Sequence, residues 1–417
     1  MEQTYFISIY LDTRRAKLNN KFPVKLRVFT KMPRKQKLYP TIFEYTEKEF
    51  DSIWNTIKPR REYIQLREEL LAIQTKANNI AKELESFSFE QFERKFLRRS
   101  GDAINVEYLY NQKIETLTKL EQIGTASSYE CSKKSLHKFI EKTTNQSFKS
   151  LSLNNITTEW LSSYEYFMTK IEGNSQATVG VYLRALRALF NRAIEDKEIN
   201  KDCYPFGKRK YSIPATKNKK IALSSEQLKI LFHSKPRIVQ QEKAKDFWFF
   251  SYACNGINMK DIALLKYKNI KDDRIEIYRA KTKQTSKANL KSITIYLNDF
   301  SKEVIEKYGK KDKHPDNFIF DIIDNTTNPK GIRAKVINFT QFVSQHISNL
   351  CIENELPREI STNWARHSFA TNSVRNGASL EFMRESLGHS DLKTTMGYFA
   401  GFEDETKKEF AKQLMNF

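Results

Sequence analysis

Apolar and polar residues alternate along the first part of the chain, a pattern typical of β-strands. In residues 4–11 the alternation puts four side chains on one face of a strand: Tyr5, Ile7, Ile9 and Leu11. Two further strands are predicted at residues 24–29 and 38–45, and a long polar helix at residues 63–84. Residues 1–95 therefore predict a small α/β domain.

The pattern changes to helical periodicity in residues 104–203. Between residues 177 and 199, apolar side chains recur at steps of three and four residues: Val179, Leu183, Leu186, Phe190 and Ile194. This stripe predicts a bundle helix with a charged outer face, and Arg184 and Arg187 flank the stripe. Residues 104–203 therefore predict a helical domain.

A polar, basic segment comes next. It begins at Pro205, contains a second proline at Pro214, and carries six basic residues: Lys208, Arg209, Lys210, Lys217, Lys219 and Lys220. A basic connector that contains prolines is typical of an interdomain linker. We place this linker at residues 204–222.

The last part of the chain, residues 223–417, mixes both patterns. Helices are predicted at residues 223–232 and 332–350. Two alternating strands, residues 275–280 and 292–297, are joined by a lysine-rich turn and predict a β-hairpin. The fold class is therefore multidomain and mainly α with small β elements: a small α/β domain, a helical domain and a mixed α+β domain.

The charge balance indicates a polyanionic partner. Lysine and arginine total 71 against 50 acidic residues, which gives a formal net charge of +21. The basic residues form three separated clusters, in residues 1–40, 208–220 and 274–291. Charge runs are often solvated faces, and ribosome-associated proteins have them too. Three separated clusters favour an extended track along nucleic acid.

Cysteine usage and hydropathy exclude several classes of protein. The four cysteines lie far apart without a C-x-x-C pair, so we expect neither a zinc site nor a disulfide framework. We therefore expect the protein to be located in a reducing cytoplasm. No apolar run approaches the ~20 residues that span a membrane, so no membrane partner is expected. The charged residues of the N-terminus follow its apolar run, the reverse of the order in a signal peptide.

Three residues near the C-terminus form a candidate phosphate-reacting site. Arg366 and His389 can bind phosphate oxygens, and Tyr398 can act as a nucleophile. The segment reads A-R-H-S-F-A-T from Ala365, then a helix-like stretch, then L-G-H-S-D-L-K-T-T-M-G-Y. Each feature alone is more often structural. Their order and spacing resemble the C-terminal signature of the tyrosine recombinase (phage integrase) family.

The resemblance implies an identity for each domain. Residues 1–95 look like an arm-type DNA-binding domain, residues 104–203 like a SAM-like core-binding domain, and residues 223–417 like the catalytic domain. In the core-binding domain, Arg184 and Arg187 are expected to contact phosphates. The linker is expected to contact DNA through Lys208, Arg209 and Lys210.

The resemblance also implies an activity, which is cleavage and rejoining of DNA through a 3′-phosphotyrosyl intermediate. The covalent link retains the phosphoester energy, so no cofactor and no metal is expected. Expected partners are double-stranded DNA, further copies of the chain in a homotetramer on DNA, and accessory DNA-bending proteins. The arm-like domain favours a mobile-element integrase. The amphipathic tail, residues 403–417, is expected either to dock on a neighbouring subunit or to pack on its own domain.

Each member of the candidate site has a chemical role. A tyrosine hydroxyl has a pKa near 10, so Tyr398 must lose its proton to attack phosphorus. Arg366 offers a planar, permanent cation for two phosphate oxygens, and His389 a further hydrogen bond. The leaving 5′-oxygen needs a proton, which a lysine of the hairpin turn can supply. Lys281 matches the family's hairpin lysine, and two rivals lie close to it: Lys283 and Lys287.

Two positions depart from the family pattern. Asn258 stands where the family usually has an arginine in its first motif, and Asn363 stands where a histidine is frequent. Asparagine can form hydrogen bonds but carries no charge and cannot act as a base. Arg279 is the first candidate for the missing cation, because alternation along a strand would put it on the same face as Lys281. Lys260 is the second candidate.

The sequence leaves several functions open. The first is a DNA-cleaving and rejoining site-specific recombinase, either an integrase or a DNA invertase. The second is a catalytically impaired DNA-binding accessory protein of the same fold. The third is an RNA-binding or ribosome-associated basic protein, in which the C-terminal motif would be accidental.

Overall fold

The computed structural model describes residues 5–14, 20–84, 86–97, 104–144, 146–214, 221–280, 292–389, 391–399, 401, 407–408 and 411–412. The chain divides into two compact units. The first comprises Met1–Asn111, Phe139–Leu161 and Arg187–Pro205, and the second comprises Gln112–Lys138, Ser162–Leu186 and Phe206–Phe417. Helical residues 104–203 are thus shared between the two units. The division into three domains with a linker at residues 204–222 stays a prediction.

An antiparallel sheet opens the chain, in the order β1 (Tyr5–Leu11), β2 (Phe22–Thr30) and β3 (Lys35–Tyr45). The predicted alternation is confirmed on its inner face, where cross-strand neighbours are buried as pairs: Ile7 with Val28, Ile9 with Leu26, and Leu11 with Val24. These pairs form one side of the hydrophobic core of this region.

Three helices follow the sheet: α1 (Glu47–Phe50), α2 (Ile64–Lys82) and α3 (Phe89–Phe96). Leu70 and Ala77 of α2 and Phe92 of α3 are buried in the same core as the inner face of the sheet. Gln74 of α2 also donates a hydrogen bond to the backbone oxygen of Ile7, at 3.0 Å. Helices therefore cover one face of the sheet, as predicted for a small α/β domain.

The middle of the chain is helical, as predicted. Its helices are α4 (Val106–Lys119), α5 (Ile123–Thr143), α6 (Thr158–Tyr166) and α7 (Gln176–Glu195). Four members of the apolar stripe on α7 are fully buried: Val179, Leu183, Leu186 and Phe190. Arg184 and Arg187 are exposed on the same helix. The period of the sequence therefore predicts both faces of α7 correctly.

The C-terminal region begins with α8 (Ser225–His233), α9 (Val239–Ala253) and α10 (Met259–Ala263). A second antiparallel sheet follows, in the order β4 (Ile270–Lys271), β5 (Arg274–Ile277) and β6 (Ile293–Tyr296). The chain then continues through α11 (Asp299–Tyr308), α12 (Pro329–Glu353), α13 (Thr362–Arg375), α14 (Leu380–Ser386) and α15 (Leu392–Met396).

Helix α9 lies in the centre of this region. Its C-terminal half buries four consecutive large side chains: Phe247, Trp248, Phe249 and Phe250. A helix that is apolar all round must be packed on all sides. The core around α9 includes Val343 and Ile347 of α12 and Ala365 of α13. The central helix therefore fixes α13, which carries Arg366.

The hairpin differs from its prediction at one end. Strand β5 ends at Ile277, so Arg279 lies beyond the strand, and strand alternation does not relate it to Lys281. The reason is a side-chain contact, because the backbone N–H of Ala280 donates to Asp261 Oδ1 at 3.0 Å instead of continuing the sheet. The lysine-rich turn, residues 281–291, lies outside the described residues.

Within the described part of the chain, no helix is both long and apolar enough to cross a bilayer.

Candidate active site

Arg366 lies in the second turn of α13 and is 5% exposed. Its Nη1 donates to the backbone oxygen of Gly256 at 2.8 Å, and its Nη2 donates to that of Leu387 at 2.7 Å. Charge-assisted bonds of this kind are stronger than neutral ones and set the orientation of the guanidinium. The side chain therefore connects α13 to the loop after α9 and to the end of α14.

Glycine is required on both sides of this arginine. Gly256 has a φ of +64°, and a Cβ there would lie 2.8 Å from Arg366 Cα. Gly388 has a φ of +63° and ends α14, where the backbone N–H of His389 donates to Arg384 O at 2.9 Å. The tight turn at Gly388 brings His389 beside Arg366.

The two nitrogens of His389 have different partners. Nε2 lies 3.1 Å from Arg366 Nη2, and Nδ1 lies 3.0 Å from Thr395 Oγ1. A guanidinium can only donate, so Nε2 accepts this bond and a neutral ring carries its proton on Nδ1. The imidazole is therefore oriented by α13 on one side and by α15 on the other.

Tyr398 follows α15 and lies against the two phosphate-binding candidates. Its ring is stacked near His389, with centroids 5.1 Å apart and an interplanar angle of 27°. The guanidinium carbon of Arg366 lies 5.2 Å from the Tyr398 ring centroid. The structure therefore brings the three residues of the C-terminal motif together in one place.

Electrostatic effects on Arg366 act in both directions. Burial and, second, repulsion from Arg279 lower the pKa of its guanidinium to about 10, against the opposing effects of Tyr398 and Asp261. A pKa of about 10 still leaves the group protonated at neutral pH. Arg366 is therefore a buried, permanent cation.

Arg279 reaches the same carbonyl as Arg366. Its Nη1 donates to Leu387 O at 3.3 Å. Among the described residues, the buried Nε atoms of both arginines have no hydrogen-bond partner. Unpaired buried donors are unfavourable, so two neighbouring guanidinium groups with free N–H bonds form a good site for an anion.

The side chain of Asn258 has a local role. It caps α10, with Oδ1 accepting from the Asp261 backbone N–H at 3.2 Å and Nδ2 donating to Asp261 Oδ2 at 2.8 Å. Burial raises the pKa of the Asp261 carboxyl, and its bond to Ala280 and the charges of Arg279 and Arg366 oppose this. Asp261 therefore connects the capped helix to the end of the hairpin that holds Arg279.

The other predicted site residues are more widely placed. Asn363 is exposed in the first turn of α13 and lines a cavity of about 500 Å³ together with six residues: Ile221, His367, Lys393, Thr394, Gly397 and Tyr398. Lys281 lies outside the described residues. All five predicted DNA-binding residues are exposed: Arg184, Arg187, Lys208, Arg209 and Lys210.

Sequence reasoning did not select His367 and Thr371, which contact Tyr398. His367 Nδ1 and Thr371 Oγ1 each lie 3.3 Å from the backbone oxygen of Tyr398. A signal was present, because Asn363, His367 and Thr371 follow at steps of four residues and share one face of a helix.

In the part of the chain that the structure describes, no three His, Cys, Asp or Glu residues come together in a way that could hold a metal ion.

Known proteins resemble more than half of this chain. A XerD tyrosine recombinase of Listeria monocytogenes is 24% identical over 239 residues, which cover 54% of this chain and 72% of the relative. A structure of the Tn1549 transposon integrase with transposon right end DNA covers 73% of this chain and 98% of its own, at 15% identity and a TM-score of 0.49. A XerH recombinase bound to its difH substrate covers 81% and 92%, at 18% identity and a TM-score of 0.49.

Two family descriptions match consecutive parts of the chain. The phage integrase SAM-like domain matches residues 106–213, and the phage integrase family matches residues 222–405. The second match contains Arg366, His389 and Tyr398, which the fold brings together. The chain belongs to the phage integrase family, the tyrosine recombinases that carry out site-specific recombination.

Proposed function

We propose that this protein cleaves and rejoins double-stranded DNA through a covalent bond to Tyr398, as the integrase of a mobile element. The observation that carries the proposal is the convergence of Arg366, Arg279 and His389 next to the Tyr398 ring. Cations and hydrogen-bond donors that are already in place stabilise the charge that develops on a phosphate during attack. A tyrosine beside such a site is positioned to be the nucleophile.

The reaction proceeds in two transfers. Tyr398 gives its hydroxyl proton to water as its oxygen attacks phosphorus, the phosphorus–O5′ bond breaks, and the 5′-oxygen takes a proton from the Lys281 ammonium, which becomes a neutral amine. This leaves a 3′-phosphotyrosyl bond and a free 5′-hydroxyl. The 5′-hydroxyl of a second strand then gives its proton to the neutral Lys281 amine as its oxygen attacks the same phosphorus. The bond between phosphorus and the Tyr398 oxygen breaks, and Tyr398 takes a proton from water. Arg366 and Arg279 bind the non-bridging oxygens in both directions, and His389 orients the Arg366 guanidinium by accepting from its Nη2.

Arg279 takes the place of the arginine that is missing at Asn258. Three observations support this: Arg279 donates to Leu387 O beside Arg366, its Nε is buried without a partner among the described residues, and Asn258 is hydrogen-bonded to Asp261. The positive charge is therefore supplied by Arg279, just beyond the end of the hairpin strand, and not by an arginine at position 258, in the loop after α9.

Replacing Arg279 by glutamine should slow covalent attack by about tenfold to a hundredfold, the value of one hydrogen bond to a charged group. The matched control is Arg274→Gln on β5 of the same hairpin, where Arg274 pairs with Glu276 at 3.0 Å. Single-turnover adduct formation and duplex affinity should be measured for both variants. Equal rates for the two variants would remove Arg279 from the site.

DNA binding outside the catalytic region is expected along the exposed basic residues of α7 and of residues 208–210. Such contacts are made to phosphate and weaken steeply with salt.

The uncovered face of the N-terminal sheet also suits DNA. On it, Arg27 donates to Ser8 Oγ at 3.2 Å and lies 5.2 Å from the Tyr10 ring centroid, with Lys25 next in line. A β-ribbon can enter the major groove, so we assign this sheet to arm-type DNA binding.

Assembly on DNA is proposed as a homotetramer, because two duplexes with two cleavage sites each require four nucleophiles. Accessory DNA-bending proteins would bring the sites together.

The test is covalent trapping. Wild-type protein and Tyr398→Phe are incubated with nicked duplexes covering the ends of the host element, and SDS-resistant protein–DNA species are counted. We expect an adduct with wild type and none with Tyr398→Phe. A wild-type protein that binds duplex in a salt-sensitive way and gives no adduct would favour the accessory-protein function, for which the asparagine at position 258 is the specific observation.

A further inference from the structure

One face of α13 contacts the chain at the nucleophile. Its side chains at four-residue steps, His367, Thr371 and Arg375, all face the segment that begins at Tyr398. His367 and Thr371 approach the same acceptor, the backbone oxygen of Tyr398, each at 3.3 Å. Arg375 donates from Nε and Nη2 to the backbone oxygen of Gly401, at 3.0 and 2.9 Å.

His367 has a fixed protonation pattern in this arrangement. A carbonyl oxygen only accepts, so His367 Nδ1 must carry a hydrogen. Burial lowers the pKa of His367, and the nearby charge of Arg366 lowers it further, while the bond to Tyr398 O opposes the shift. The ring is therefore neutral near pH 7, with its hydrogen on Nδ1.

The same imidazole also holds the tyrosine ring. The centroids of His367 and Tyr398 are 4.6 Å apart, with an interplanar angle of 34°. His367 is 8% exposed and Thr371 is fully buried, so neighbouring atoms enclose most of both side chains. Both lie on α13, which packs on the central helix α9. The contacts therefore tie Tyr398 to the rigid core of the region.

The Tyr398 segment needs such support. Helix α15 has only five residues, and the Tyr398 backbone N–H donates locally to Thr395 O at 3.0 Å. In-line attack requires the reacting oxygen to be held within about 3–3.5 Å of phosphorus, and a shift near 1 Å can slow a reaction about a hundredfold.

We infer that His367, Thr371 and Arg375 form a positioning face that holds the nucleophile segment in register with Arg366 and His389. These are positioning residues, since they act on the backbone and ring of Tyr398 and not on the phosphate. The inference rests on the proposed function, because it assigns these residues to the attack by Tyr398.

The test removes the two donors to Tyr398 O separately and together. His367→Phe keeps an aromatic ring without the donor, Thr371→Val keeps the shape without the hydroxyl, and Thr371→Ser is the conservative rescue. Single-turnover adduct formation on nicked duplex should fall about threefold to tenfold in each single variant, and about tenfold to a hundredfold in the double variant, if the two losses multiply. Thr371→Ser should retain the wild-type rate, and duplex affinity should stay within about twofold in all variants.

A sulfur substrate separates positioning from acid catalysis. With a 5′-bridging phosphorothiolate, the leaving thiolate needs no proton, so a general-acid variant such as Lys281→Ala should recover its rate. The double variant should keep its defect on this substrate, because the position of Tyr398 is unchanged by the leaving group. A double variant that is rescued by sulfur, or that cleaves at the wild-type rate, overturns the inference.

Amide hydrogen exchange gives a readout that does not depend on cleavage. In the double variant without DNA, exchange in residues 395–401 should accelerate while α9 and α12 keep wild-type protection. Unchanged exchange would overturn the positioning face. A wild type without adduct, together with faster exchange in the double variant, would instead count against the proposed function alone.

Discussion

Exchanging Arg366 for lysine should slow adduct formation by about a hundredfold to a thousandfold, the range for loss of one preorganised charge-stabilising group. Lysine keeps the charge, but an ammonium cannot reproduce the planar fork that donates to Gly256 O and Leu387 O. Single-turnover adduct formation on nicked duplex measures the effect. Duplex affinity should change little, because many phosphate contacts contribute to it.

The control for Arg366→Lys is the same exchange at Arg237. That side chain pairs with Glu353 at 3.3 Å and is 77% exposed, so Arg237→Lys should retain the wild-type rate. An Arg366→Lys protein that forms adduct as fast as the Arg237→Lys protein would mean that the buried guanidinium does not bind the reacting phosphate.

Substituting alanine for Gly256 should destabilise the catalytic region by about 2–5 kcal/mol. Two effects add: a positive φ for a residue with a Cβ, about 1–2 kcal/mol, and forced overpacking, about 1–3 kcal/mol. The Cβ would lie 2.8 Å from Arg366 Cα, which belongs to a helix backbone and cannot rotate away. Urea unfolding measures the loss, and the adduct assay should show that displaced Arg366 lowers the rate as well.

Gly173→Ala separates these two effects. Gly173 has a φ of +67°, close to the +64° of Gly256, and a Cβ there would meet nothing within 4 Å. In this variant the free energy of unfolding should fall only by the contribution of backbone conformation, about 1–2 kcal/mol, and the rate of adduct formation should be unchanged. Similar losses of stability at the two positions would show that contact with α13 is not what requires glycine at position 256.

Much of the fold could be predicted because its signals are periodic and local. The two-residue period of β1 and the stripe on α7 gave correct buried faces. Helix α9 was not among the predicted helices, since a helix buried on all sides has no stripe to detect. The two-residue strand β4 was missed because a strand of that length has no period.

The part of the candidate site whose residues lie close together in the sequence could be predicted from the motif. Arg366, His389 and Tyr398 lie within 33 positions of one another, and the turn at Gly388 closes the gap between them. Arg279 was suggested for the wrong geometric reason, because the strand ends before it. His367 and Thr371 were missed because both contact a backbone oxygen. Every residue has such an oxygen, so the sequence does not indicate which one a side chain will contact.

The carbonyl of Leu387 has a consequence for how such sequences are compared. This carbonyl, at the end of α14, accepts a hydrogen bond from both Arg279 and Arg366. It is a main-chain group, so any residue type at position 387 would supply it. The contact therefore depends on whether a guanidinium can reach this oxygen, and not on the position in the sequence that supplies the arginine. Some related sequences will lack the arginine of the first motif. We expect those to be active in which a second arginine, at any position in the sequence, can reach this oxygen.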